Sequence, residues 1–322
     1  MNVYDSSQHV PHTATHIIRA MTLDDIEAVG RIDRDAFDQV RRVQRSLPHP
    51  LLVRTPENLH AAFNRPHAGI VIEWPLGRVV GYCFTHVWGS LGWLGTLGVT
   101  PRSQGLGLGQ AVIAAGLAAL RAAGCCILAL ETMPDSGKNL ALYTRQGLEA
   151  RYMTVLCQGA PRAARQTTFE HWQPGDDQLD HSLREIAGNL LPGLDPTPAA
   201  RWLMREEGGT TLFWHEAGTP VAFAVLRTQA RRQGSYQSYV TVEVAGCHPE
   251  YTAEWPRYLA EIHAYGRTQG KMGLVLPVNA RQVDLLREVL DLRLEIVHTR
   301  VRMVTGDALG SPAARLVLTL AM

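Results

Sequence analysis

The 322-residue sequence lacks a surplus of either charge: 31 Lys and Arg stand against 30 Asp and Glu, a formal charge of +1. No global field therefore draws the chain to nucleic acid or to an anionic membrane. Short basic groups such as Arg41, Arg42 and Arg45, or Arg231 and Arg232, read as solvated helix or loop faces. Cysteine is scarce, five residues with no CxxC pair and no histidine spacing that would make a zinc site. That excludes a disulfide framework and a structural metal, and a reducing cytoplasm is the expected compartment. The first twenty residues lack a basic stretch followed by an apolar one, so no secretory signal is expected. The longest apolar helical run, residues 111–120, is about half of what a bilayer span needs.

What the chain does have is apolar material for a large interior: 46% hydrophobic and 19% charged residues. At this length two cores are expected rather than one. Residues 15–37 read as a short strand and then a helix with Thr22 as N-cap, Asp24 and Asp25 in the first turn and a stripe of Ile26, Val29, Ile32 and Phe37. Prolines at 48, 50 and 56 break the next segment into a loop, placed at a substrate entrance, and a helix over 56–63. Two β-rich runs, GIVIEW and VVGYCFTHVW, flank PLGR as a hairpin, and LGWLGTLGV adds a third strand. A helix over 109–123, the strand CCILALET, a helix in SGKNLALYTRQGL and the strand ARYMTVLC complete the unit. The class expected is α/β, with a mixed sheet.

The order recurs. TTLFWHEAGTPVAFAVL repeats the hairpin, YVTVEVAGCHPE stands where LGWLGTLGVTPR stands, and a helix, a strand, a helix and a strand follow. The recurrence predicts an internal duplication, with the junction in QGAPRAARQTT and units over 1–160 and 161–322. One feature is not repeated: QGLGLG in the first unit is replaced by YTAEWP in the second.

Gly105, Gly107 and Gly109 stand between a strand and a helix start. A helix N-terminus exposes N–H groups without intrahelical partners, and with the helix dipole these bind phosphate. Glycines let a pyrophosphate reach those amides. The spacing is neither the G-x-G-x-x-G of a dinucleotide fold nor the Gly-Lys-Ser/Thr of a triphosphatase loop.

It does resemble the signature of the GNAT superfamily of acetyl-CoA-dependent N-acyltransferases. A strand ending Val99-Thr-Pro101 runs into Gln104-Gly-Leu-Gly107-Leu-Gly109, and a second family element appears as Leu142-Tyr143 followed by Gly147-Leu148. The duplicated layout resembles the tandem members of that superfamily, in which one copy is often degenerate. The resemblance implies two tandem GNAT-like domains, each a mixed, mainly antiparallel twisted sheet flanked by helices. The first would bind acetyl-CoA as co-substrate, and the second would be the degenerate copy, with Leu286 or Arg287 near the position of the tyrosine.

Carried over by position, the resemblance implies that the pantetheine arm pairs with backbone groups of Leu97, Gly98 and Val99. The pyrophosphate would rest on Gln104, Gly105, Leu106, Gly107, Leu108, Gly109 and Gln110, with Asn139 near the pantetheine or phosphate end. Tyr143 takes the general-acid position. The base stays open between Glu131, His86 and a chain of waters. The implied activity is acetyl transfer to a primary amine by direct attack in a ternary complex, on a small molecule or a peptide. The alternative is a non-catalytic coenzyme A sensor or scaffold. No metal is expected.

Overall fold

The computed structural model describes residues 16–43, 54–65, 69–74, 77–228, 238–305 and 314–320. Pro48, Pro50, Arg45, Arg231 and Arg232 lie outside them. Strand β1 (Ile17–Ala20) leads through a 3-10 turn into α1 (Ile26–Val43). Thr22 and Asp25 form a capping box there, with the Thr22 amide donating to the Asp25 carboxylate at 2.7 Å. Helix α2 (Pro56–Phe63) starts on a proline whose missing N–H costs nothing at that position, and the Asn58 amide donates to the Thr55 hydroxyl.

Strands β2 (Gly69–Glu73), β3 (Val79–Trp88) and β4 (Leu91–Val99) form the expected antiparallel meander. Helix α3 (Leu108–Ala122), strand β5 (Ile127–Thr132), helix α4 (Gly137–Thr144) and strand β6 (Glu149–Gly159) follow. The second half then repeats the order. A two-residue strand β7 (Glu170–His171) and helices α5 (Asp177–Leu190) and α6 (Thr197–Glu207) precede the hairpin β8 (Gly209–Glu216) and β9 (Thr219–Arg227). Then come β10 (Tyr239–Cys247), α7 (Trp255–Thr268), β11 (Gly273–Asn279), α8 (Val283–Asp291), β12 (Glu295–Thr305) and a short β13 (Arg315–Leu318).

Helices α5 and α6 and strand β13 are additions to the sequence reading. Asp176 caps α5, accepting from the amides of Gln178 and Leu179, and Leu179, Leu183, Ile186 and Leu190 form its buried stripe. Gly208, with φ of 59°, ends α6 in the left-handed conformation that favours glycine.

The thirteen strands form one continuous mixed sheet in the order β1-β2-β3-β4-β5-β12-β6-β11-β10-β9-β8-β7, with β13 paired to β10. The halves interlock, because β12 lies between β5 and β6, and β6 lies between β12 and β11. A core that includes Trp88, Trp93, Trp172, Trp202 and Leu203 joins the halves on one face, and another packs α3 and α4 on the opposite face of the first half. Among the described residues no helix is long and apolar enough to cross a membrane.

Candidate active site

The site begins where β4 and β5 part. They pair in parallel over only three positions, Leu91 with Ile127, Gly92 with Leu128 and Trp93 with Ala129, and then diverge. Strand β4 continues to Val99 and β5 to Thr132. On its other side β4 stays paired with β3, with Leu97 opposite Cys83, Gly98 opposite Tyr82 and Val99 opposite Gly81. Leu97, Gly98 and Val99 therefore sit on a strand that is held along one edge and, among the described residues, has no strand partner on the other. An added Cβ at Gly98 would be crowded, 3.1 Å from the Tyr82 ring and 3.2 Å from Ala36.

Beyond Val99 a Pro101–Ser103 3-10 turn leads into the glycine bend. Gly105 (φ 83°) and Gly107 (φ 79°) adopt left-handed backbone, and an added Cβ at either would meet nothing within 4 Å. Gln104, Gly105, Leu106 and Gly107 are all exposed, as is Gln110, while Leu108 is buried as an anchor and Gly109 is half-buried. The first bond of α3 runs from the Ala111 amide to the Gly107 carbonyl at 3.1 Å, so the N–H groups of Leu108, Gly109 and Gln110 precede the intrahelical ladder. The Gln104 side chain donates to the Val99 carbonyl at 3.2 Å and accepts from Lys138 Nζ at 2.9 Å. Lys138 thus brings a cation to the bend, a feature that the sequence signalled only by its place in α4. Asn139 donates to the Thr132 hydroxyl at 3.3 Å and ties α4 to the end of β5.

Tyr143 lies in the same core as Leu97, Val99, Leu130 and Cys83. Burial pushes its phenol well above the ordinary tyrosine value, and the nearby Cys83 adds to that. Both expected base candidates are committed elsewhere. The Glu131 carboxylate accepts from Arg302 at 2.6 and 3.0 Å and from the Thr154 hydroxyl at 2.6 Å, and it faces Arg300 at 3.4 Å. Burial alone would raise its pKa, but Arg302 and Arg300 together with these hydrogen bonds outweigh burial and hold it below the ordinary value. His86 stacks on Trp93, with ring centroids 4.9 Å apart, contacts the Gly95 carbonyl through Nε2, and has Arg65 2.6 Å from Nδ1. Burial, and after it the charge of Arg65, pushes its pKa well below 6.5. The imidazole is neutral, with Nε2–H donating to Gly95 and Nδ1 accepting from Arg65.

The four buried cysteines are weak nucleophiles for the same reason. Burial raises Cys83, Cys157 and Cys247 to about 12 and raises Cys125 as well.

On the face of β4 toward α1 and α2 lies a polar group that the sequence reading missed. Asp33 accepts from Tyr82 at 2.5 Å and from Arg54 at 2.7 Å, and Arg54 and Tyr82 both reach the Thr96 hydroxyl. No local pattern marks these residues, because α1, the start of α2, β3 and β4 bring them together only in the fold. Beside them open two small clefts. Arg54, Arg65, His86 and Gly95 line them from the first half, and Pro198, Ala199, Trp202 and Glu207 from α6. The Arg65 guanidinium lies 3.6 Å from the centre of the Trp202 ring, and Trp202 donates to the Ala61 carbonyl.

Comparison with known proteins adds three findings. Residues 36–148 match the model of the acetyltransferase (GNAT) family. A 79-residue stretch is 35% identical to mycothiol acetyltransferase of Arthrobacter sp. (strain FB24), and it covers 23% of this chain but only 24% of that protein. Among solved structures, a protein of Pyrococcus horikoshii matches with a TM-score of 0.67 at 15% identity, over 99% of each chain. A tandem GNAT protein from the clavulanic acid biosynthesis pathway matches with a TM-score of 0.57 at 15% identity, over 92% of this chain and 100% of that one. At these identities the two structures establish the fold.

Proposed function

We propose that the protein, whose residues 36–148 match the model of the acetyltransferase (GNAT) family, transfers an acetyl group from acetyl-CoA to a primary amine by direct attack, with both substrates bound at once. The observation that carries this reading is the divergence of β4 from β5 beside a left-handed glycine bend, after which the amides of Leu108, Gly109 and Gln110 precede the helical ladder. An extended pantetheine arm fits along Leu97, Gly98 and Val99 as an added strand. The diphosphate fits on the amides between Gln104 and Gln110, with Lys138 alongside.

The amine enters from the clefts between α2 and α6, which makes the second half a wall of the acceptor site. Attack on the thioester carbon builds negative charge on its oxygen, which the main-chain N–H near Leu97 stabilises. Collapse expels coenzyme A as a thiolate, Tyr143, kept protonated by burial, donates to that sulfur, and the proton lost by the attacking nitrogen passes to water, from which the phenol is restored. Glu131 is held by Arg302 and Arg300, and both ring nitrogens of His86 are hydrogen-bonded, so we assign both to positioning. The attacking amine is then the free-base fraction drawn from solution. Thiols held in the protonated form by burial argue against an acyl-enzyme.

The test is thiol release from acetyl-CoA with a panel of small amines and peptide N-termini. Turnover with intersecting initial-rate patterns is expected. Saturable coenzyme A binding without thiol release from any amine would instead make the protein a coenzyme sensor or scaffold.

A further inference from the structure

Strands β4 and β10 are equivalent in detail. Each is nine residues long. Each opens with a three-position parallel ladder, Leu91 to Trp93 against β5 and Tyr239 to Thr241 against β11. Each ends in a Pro-led 3-10 turn, after Thr100 (φ −52°, ψ 138°) and His248 (φ −52°, ψ 142°). Both halves therefore contain the same parting of strands, and they differ in what fills it. Along β4 the edge beyond Trp93 has no strand partner among the described residues. Along β10 the corresponding edge carries β13, with Val244 opposite Leu318, Ala245 opposite Val317, Gly246 opposite Leu316 and Cys247 opposite Arg315.

Resting on the coenzyme reading of the first half, we propose that β13 is a built-in occupant of the second half's coenzyme gap, an extended backbone standing where the first half takes an extended ligand. A bare strand edge pairs with whatever extended backbone is available. A strand carried on the same chain competes intramolecularly, without the concentration dependence that a freely diffusing coenzyme must meet. The occupant is also fastened. Arg315 pairs with Glu288 of α8, Gln282 donates to the Ala314 carbonyl at 2.9 Å, and the Thr319 amide donates to the Glu243 carbonyl at 2.9 Å. Val317 is wholly buried, so displacing the strand would expose it. A Cβ on Gly246 would lie 3.2 Å from the Arg315 carbonyl, a spacing that fits a backbone neighbour.

The start of the following helix agrees. Where α3 is preceded by Gly107, α7 is preceded by Glu254, a carboxylate at the helix end that would otherwise receive phosphate.

The experiment is hydrogen exchange on the full chain with and without saturating coenzyme A, alongside calorimetric stoichiometry. Expected are one coenzyme per chain, residues 315–318 at least ~10-fold slower than an unpaired loop before any addition and unchanged after it, and residues 96–99 slowing only on addition. Loop-like exchange of 315–318, faster exchange there on adding coenzyme, or a second bound equivalent would overturn the proposal. No binding at all, with 96–99 unmoved while 315–318 remain slow, would remove the coenzyme reading of the first half and the proposal with it.

Discussion

Replacing Gly107 by Asp, with Asn as its neutral twin, separates charge from shape at the proposed diphosphate site. Gly107 has φ of 79°, and a side chain there points into open space, since nothing lies within 4 Å of an added Cβ. Asp and Asn are nearly equal in volume and are the two non-glycine residues that best tolerate left-handed backbone, so both variants carry the same folding cost, on the order of 1 kcal/mol. They differ by one negative charge. A carboxylate ~5 Å from a phosphate charge, at an effective dielectric constant between ~20 and ~80, is repelled by ~1 to 3 kcal/mol. That corresponds to roughly 5- to 150-fold in affinity for each phosphate charge at that range.

Calorimetry of coenzyme A binding to the two variants is the assay. Gly107→Asp is expected to bind at least ~10-fold more weakly than Gly107→Asn, with the gap closing as salt approaches 1 M, where the Debye length falls to about 3 Å. Equal affinities at low salt would refute an anion at this bend, whatever the variants did to stability.

Four further outcomes are expected. Tyr143→Phe removes a hydroxyl that makes no hydrogen bond among the described residues, so thermal stability and coenzyme affinity should hold while kcat falls by ~10² or more; an unchanged kcat would remove the acid role. Glu131→Gln leaves Arg302 buried without its counter-charge and should destabilise by ~3 kcal/mol in urea unfolding, while turnover per folded molecule stays within about twofold; a hundredfold loss of turnover would restore Glu131 as the base. The log of kcat/KM should rise with unit slope up to the acceptor's own pKa, with no inflection besides the acceptor's between pH 5 and 8, because His86 is already neutral there. Asp25, which the Arg19 hydrogen bond draws down to about 2 from 3.8, contributes stability that is present above pH ~4 and lost as pH falls toward ~2; Asp25→Asn should therefore cost ~1–2 kcal/mol at pH 7 and nothing near pH 2, by denaturant midpoint at each pH.

Local chemistry made strands β1 to β6 and β8 to β12, the helices of the first unit and the glycine bend legible in the sequence. The helix over 56–63 announces itself by a threonine cap and a proline in its first turn, and the bend by glycines that the backbone needs at positive φ. The opening beside the bend is not a local property. It depends on where the β4–β5 ladder stops, and no residue type marks Trp93 as its last rung. Glu131 reads as a strand-end carboxylate open to the cleft until β12 brings Arg302 to within 2.6 Å. The cap and amphipathic stripe of α5 were available, but they lie just beyond a polar junction that reads as linker. With α5 and α6 overlooked, the wall they build around the clefts had no signature.

The interlocked sheet gives the second half a part in the first half's geometry. Strand β5 is the far bank of the opening along β4, and its other edge is held by β12, with five paired positions from Val301 opposite Thr132 to Thr305 opposite Leu128. The Glu131–Arg302 pair fastens the same two strands, and Arg302 also donates to the Leu318 carbonyl at 2.5 Å. β12 pairs the edge of β5 that faces away from β4, through Leu130, Glu131 and Thr132, the stretch in which β5 has already parted from β4. β5 is therefore anchored on that side where it stands apart from β4. The sheet has no edge at position 160, because β6 on its N-terminal side pairs with both β11 and β12. Residues 1–160 expressed alone would lose the β12 partner of β5 and both partners of β6, so the opening between β4 and β5 is a property of the whole chain.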